Sequence, residues 1–200
     1  DSTHTFAYVG VARVLRAQAH ALAGRADAAA EDVDRAREVG AARSIDRVLF
    51  RAALAQARIA MQAEPVDAAG WELVDQGLGE AREVLASSRQ LDRAVPTENF
   101  VQYDALQCQR LYRLGRYPEL LERSRRAAAA EKRAGRVKYL VEFLGLEALA
   151  LDAQGETTAA GRVLAEAIRL ASPGRCALPL LHCGAGLLEV TLPAAEGPAG

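Results

Sequence analysis

The sequence predicts an all-α chain, folded as a right-handed superhelix of stacked helical hairpins with about nine helices. Three observations carry that expectation. Apolar residues recur at intervals of three and four almost throughout, and no segment alternates with period two for long. Half of the 200 residues are apolar but only 5% are aromatic, and about a fifth are alanine, a mixture suited to closely packed helices. Glycine-centred breaks return on a shared ruler, the mark of a repeating unit.

Taken in chain order, the breaks are "AGRAD" near Gly24, "VGAARS" before Ser44, "QAEPVD" around Pro65, "RAVPTEN" around Pro96, "LGRYPE" around Pro118, "RAGR" at Gly135, "AQGE" at Gly155 and "SPGR" at Pro173. They divide residues 1–192 into hairpins over about 3–42, 44–88, 97–134 and 136–172, followed by a final helix over 175–191. Residues 193–200, rich in Pro, Gly and Ala, read as a linker or disordered tail. Ser44 and Thr97 are expected N-caps, because a hydroxyl accepts from amides left unpaired in a first turn. Carboxylates four residues ahead of arginines, as in Glu31/Arg35, Glu119/Arg123 and Glu122/Arg126, add a few tenths of a kcal/mol each as solvated scaffolding.

Aligning Gly24, Gly115 and Gly155 places Ala17, Cys108 and Ala148 seven residues before each. Five residues after come Ala29, Leu120 and Ala160, and twelve after come Ala36, Ala127 and Ala167. Gly115 and Gly155 are 40 residues apart, and the 91 between Gly24 and Gly115 hold one further unit plus about ten inserted residues, with its hinge near Glu64. Small residues one heptad apart give a helix a flat stripe on which a neighbour sits closely, so stacked hairpins bury a continuous core.

Formal net charge is -1, and a near-neutral chain generates no basic field toward nucleic acid. The densest basic stretch, "ERSRRAAAAEKRAGR" over 122–136, is interleaved with Glu122 and Glu131 and reads as a solvated helix. Three scattered cysteines, Cys108, Cys176 and Cys183, make no disulfide framework and fit a reducing cytoplasm. No apolar run approaches a membrane span. The opening "DSTHTF" has neither an initiator Met nor a signal-peptide pattern, so the chain reads as part of something longer.

A helix, a glycine turn and a second helix with alanines five and twelve residues on follows tetratricopeptide logic, with a period near 40 instead of 34. With "LVEFLGLEALALDAQGETTAAGRVLAEAIRLASPGR" over 140–175, the chain resembles the sensor repeats of MalT-like regulators, the large ATP-dependent LuxR-family transcriptional activators. The resemblance implies a cytoplasmic, bacterial, non-enzymatic domain. It would bind a small-molecule inducer or a regulatory protein and control an ATPase and a DNA-binding module outside this sequence. Neither a phosphate-binding glycine loop with Lys-Ser/Thr nor a terminal helix-turn-helix stands in these residues, and "RCALPLLHCGAGLLEV" keeps Arg175 but departs from the family's usual ending. The runner-up reading is a stand-alone tetratricopeptide-like scaffold for peptide segments.

In a stacked-hairpin superhelix the first helix of each pair lines the concave face. With Ala17, Ala57, Cys108 and Ala148 pointing inward, the adjacent row supplies Gln18, Arg51, Arg58, Gln102, Gln109, Tyr112 and Glu142 as the expected ligand or partner surface. Arginine forks and amides suit a polar or anionic ligand. Cys176, His182 and Cys183 lack the further ligands zinc needs and read as packing residues. His4 and His20 stand alone. Trp71 and Met61, near the insertion, could anchor a partner, but the one Trp of an alanine-rich array reads first as core. Ser87, Ser88, Ser124 and Ser172 have no nucleophile elbow, and no triad or paired-carboxylate pattern is present, so neither catalysis nor a cofactor is expected. Self-association is compatible with the pattern; direct nucleic-acid binding and a membrane location are not expected.

Overall fold

A computed structural model describes residues 2–62, 65–87, 96–174 and 177–192. The fold is all-α and built from helical hairpins, with no strand among the described residues. The helices are α1 (Ser2–Leu22), α2 (Ala26–Ala42), α3 (Asp46–Ala60), α4 (Ala68–Ser87), α5 (Pro96–Arg113), α6 (Tyr117–Arg133), α7 (Val137–Ala153), α8 (Thr157–Ala171) and the short α9 (Leu178–His182), followed by a 3-10 turn at Ala185–Leu188. No helix among the described residues is long and apolar enough to cross a membrane.

One turn, used again and again, generates this order. Gly24, Ser44, Gly115, Gly135 and Gly155 all have left-handed backbone, with φ of +72°, +51°, +68°, +68° and +82°. The amide of the residue after each donates to the carbonyl five residues back: Arg25 to His20, Ile45 to Gly40, Arg116 to Leu111, Arg136 to Glu131 and Glu156 to Leu151. That is the Schellman closure, which satisfies carbonyls a helix end would otherwise leave open. The same residue has φ between -81° and -102° and starts the next helix, so a single residue separates the left-handed position from the new helix. Gly24 and Ser44 are 20 residues apart, as are Gly115, Gly135 and Gly155, so the 40-residue period consists of two identical half-steps.

Ser44 is therefore no N-cap. Its positive φ places it past the end of α2, where glycine stands in the other four turns, and Ile45 is the residue that begins α3. A Cβ in the left-handed region costs roughly 1–2 kcal/mol, which the surrounding closure holds in place. The expected cap at Thr97 involves a side chain outside the described residues. The expected final helix over 175–191 is interrupted: α9 ends at His182, and Gly184 at φ +100° turns the chain into the 3-10 segment. The hinge near Glu64, together with Ser88, Arg175, Cys176 and the tail over 193–200, lies outside the described residues.

The chain forms two compact units, Asp1–Leu106 and Gln107–Gly200. In the first, α3 is closed on two sides. Val48, Ala52 and Ala55, with Ile59 beside them, join Val14 and Ala17 of α1 and Val33 and Ala36 of α2 in one cluster. On its other side Phe50, Ala53, Leu54, Ala57 and Met61 join Val74, Leu78 and Ala81 of α4, and Leu106 with Tyr103 of α5 closes that cluster. Trp71 is half-buried against the same cluster, a core role as expected. In the second unit α7 packs between α6 and α8, and every residue from Tyr139 to Leu151 is buried. The repeat alanines Ala17, Ala29, Ala36, Ala148, Ala160 and Ala167 are fully buried, as are Cys108 and Leu120; Ala127 is half-buried, and Ala128 beside it turns inward.

Candidate binding surface

The seven residues expected to line one polar row divide between the two units. In the first, Gln18 on α1, Arg51 and Arg58 on α3 and Gln102 on α5 are all half-buried. Arg51 and Arg58 are one heptad apart and flank the cluster-forming positions of α3, so packing of Phe50, Ala53 and Ala57 fixes the backbone that carries both guanidinium groups.

In the second unit Gln109, Tyr112 and Glu142 meet the end of the chain. Gln109 Nε2 donates to the His182 carbonyl at 2.9 Å and lies 3.5 Å from Glu142 Oε1. The buried Glu142 carboxylate has His182 Nδ1 at 3.7 Å, and the Glu142 carbonyl has Cys183 Sγ at 3.5 Å. Gly145 makes the approach feasible, because a Cβ there would come within 2.7 Å of Cys183 Sγ and close to Leu180 and Leu187. Tyr112 stacks obliquely on Tyr117 at 5.9 Å, and a Cβ on Gly186 would reach to 3.1 Å from its hydroxyl. Partial burial pushes the Tyr112 phenol above its ordinary value. The polar groups of Gln109 and Glu142 thus hold α9 and the residues after it, and His182 and Cys183 take part in that contact as packing residues.

A second polar cluster went unnoticed in the sequence. Asp32 on α2 is buried, and Arg16 on α1 grips its carboxylate in a fork at 2.6 and 2.5 Å. Arg13 lies at 3.4 Å and His20 at 3.7 Å. Hydrogen bonding from Arg16 holds the Asp32 carboxyl below the usual carboxylate range and raises Arg16 in turn. The signal in the sequence was an aspartate on the alanine face of α2, three residues past Ala29 and four before Ala36. This cluster ties α1 to α2.

Also missed was the outer side of α1. Tyr8, Leu15 and Leu22 are 76%, 55% and 54% exposed, and Ala12 and Ala19 between them are exposed as well. The clue was a double stripe: α1 is apolar at 7, 11, 14 and 17, which face inward, and again at 8, 12, 15, 19 and 22. Among the described residues no group of three or more His, Cys, Asp or Glu is arranged to hold a metal ion. Compared with protein-family models, with curated proteins and with solved structures, the chain matches none.

Proposed function

We propose that this chain is a recognition module, built from helical-hairpin repeats, that acts by binding and performs no chemistry of its own. The observation that carries the reading is the placement of Arg51 and Arg58, half-buried and one heptad apart on the helix most tightly held in the first unit, with Gln18 and Gln102 as half-buried amides on other helices of the same unit. Guanidinium and amide groups suit an anionic or polyhydroxylated ligand, because they bind carboxylates and hydroxyls with direction. In the more specific form of the reading, suggested by the resemblance to MalT-like regulators, the ligand is an inducer or a regulatory protein, and its binding shifts the population of conformations that govern an ATPase and a DNA-binding module.

A thermal-shift screen of the chain against sugars, amino acids and aromatic acids tests the first statement. A ligand present at about 100 times its Kd adds about 2.7 kcal/mol to the folded state, a Tm increase of several degrees. Arg51→Ala with Arg58→Ala abolishes the shift given by an anionic hit and leaves the unliganded Tm within a degree or so of the parent. A parallel fall of the unliganded Tm would assign both side chains to the fold and remove the surface. A phosphate-binding glycine loop and a helix-turn-helix in the full-length protein would support the regulator reading over that of a peptide-binding scaffold.

A further inference from the structure

Asp32 has more cations around it than one carboxylate can neutralise. Arg16 reaches it through Nε at 2.6 Å and Nη2 at 2.5 Å, Arg13 Nη1 shares Oδ1 with that Nη2 at 3.4 Å, and His20 Nε2 stands 3.7 Å from Oδ2. Arg25, in the turn between α1 and α2, joins the group by donating from Nε to His20 Nδ1 at 2.9 Å. Three guanidinium groups thus gather round a single carboxylate, an excess of two positive charges. The next carboxylate toward Arg16, that of Glu31, is exposed and held by Arg35 at 3.0 Å. Among the described residues, Asp32 is the one ion-pair partner of Arg13 and Arg16, and Arg25 has none. Buried carboxylates elsewhere follow a different rule: a single arginine answers each, Arg136 for Glu131 and Arg125 for Glu147.

Burial separates the two signs of charge. The Asp32 side chain is 4% exposed, whereas those of Arg13 and Arg16 are 29% and 60% exposed and Arg25 is exposed as well, so the carboxylate forms a floor and the guanidinium groups a rim. Arg16 spends Nε and one N–H of Nη2 on Asp32 and keeps Nη1; Arg13 keeps Nε and Nη2, and Arg25 both of its Nη groups. A fork already pinned by a buried carboxylate loses little rotamer freedom when it takes a ligand.

We infer that Arg13, Arg16 and Arg25, organised over Asp32, form a binding site for a phosphate dianion, the phosphoryl group of a phosphomonoester. Such a group carries close to the two negative charges that the cluster lacks, and its three peripheral oxygens accept charge-assisted hydrogen bonds from several guanidinium groups at once. A carboxylate offers one charge and two oxygens and leaves half of the excess in place. Asp32 repels an incoming anion, but it is outnumbered by the cations above it and fixes the fork of Arg16. The donors come from α1 and the turn that follows, so the site is distinct from the row of Arg51 and Arg58 on α3.

Phenyl phosphate, a dianion at about pH 7.5, tests the site. At about 10 mM, with ionic strength held constant by sodium chloride, it should raise the Tm of the intact chain by about 3 °C. The phosphorus NMR resonance of the ligand should broaden in parallel, inorganic phosphate should act alike, and benzoate should give well under half the shift. Arg13→Gln with Arg25→Gln should abolish shift and broadening while leaving the unliganded Tm within about 2 °C of the parent. Arg126→Gln with Arg133→Gln, which removes the same charge from exposed positions of α6, should leave both signals intact. An equal shift from benzoate, an unbroadened resonance, or signals that survive the Arg13 and Arg25 changes would overturn the inference. So would signals lost on Arg51→Ala with Arg58→Ala instead, a result that would support the ligand row on α3 and remove this site.

Discussion

At matched steps before their turns, α1 presents Tyr8, Ala12, Leu15 and Ala19, and α7 presents Tyr139, Phe143, Leu146 and Ala150. Three of the four pairs are the same residue or nearly so in chemistry, yet all four are buried in α7 and exposed in α1. The difference comes from neighbours. Helix α7 has α6 on one side, α8 on the other and the α9 segment across it, so even its charged residues are enclosed and must be partnered: Glu147 takes Arg125 at 2.7 Å, and Glu142 faces Gln109 and His182. Helix α1 has α2 and α3, both against its inner face. A stripe of apolar residues thus records what a helix is shaped to contact, whereas burial records what is there to be contacted.

Exchanging residues between the two seams gives the largest expected effect. Phe143→Ala installs the residue α1 has at that step and should cost about 3–5 kcal/mol, because a fully buried ring leaves a cavity. The reciprocal Ala12→Phe should change chain stability by no more than about 0.5 kcal/mol, since the ring projects from an open face. Urea unfolding of both variants provides the check, and similar losses in the two would sink the contrast.

A smaller effect separates the two faces of α1 itself. A Cβ at Gly10 would approach Val48 Cγ1 to 2.5 Å and Cγ2 to 2.8 Å, and Val48 is buried and β-branched with little room to turn away. Gly10→Ala should therefore destabilise by about 1–2 kcal/mol even after the better helix propensity of alanine is counted. A gain in Tm would show that the inner face of α1 is as loose as its outer one.

The smallest effect concerns the turns. Ser44 holds a left-handed conformation that four glycines hold elsewhere, so Ser44→Gly should stabilise by up to about 1 kcal/mol, the relief of a Cβ clash less the extra freedom of the unfolded chain. A differential melting curve resolves this, and a lowered Tm would mean that the serine side chain contributes something its backbone does not reveal.

Much of the fold was legible. Apolar spacing identified the helices, and Gly24, Gly115 and Gly155 located three turns because the left-handed closure needs a residue without a Cβ. The half-step at Gly135 and Ser44 was harder to see, since a serine in that position looks like a cap to any reading of residue type. The candidate surface was less legible. Gln109 and Glu142 were expected in a ligand-facing row and are buried; the segment that engages them is 73 residues from Gln109 in sequence and approaches through Gly145, a long-range contact with no local signature.

Alone, the order of residues determined that this chain is helical, where its turns fall and which stripe each helix offers, because those depend on backbone preferences and on a 3.6-residue period written within one segment. Which stripe became core, which carboxylate needed a partner and which seam stayed open were decided only when distant segments met. Burial is a property of neighbours, and neighbours are assigned by the tertiary fold.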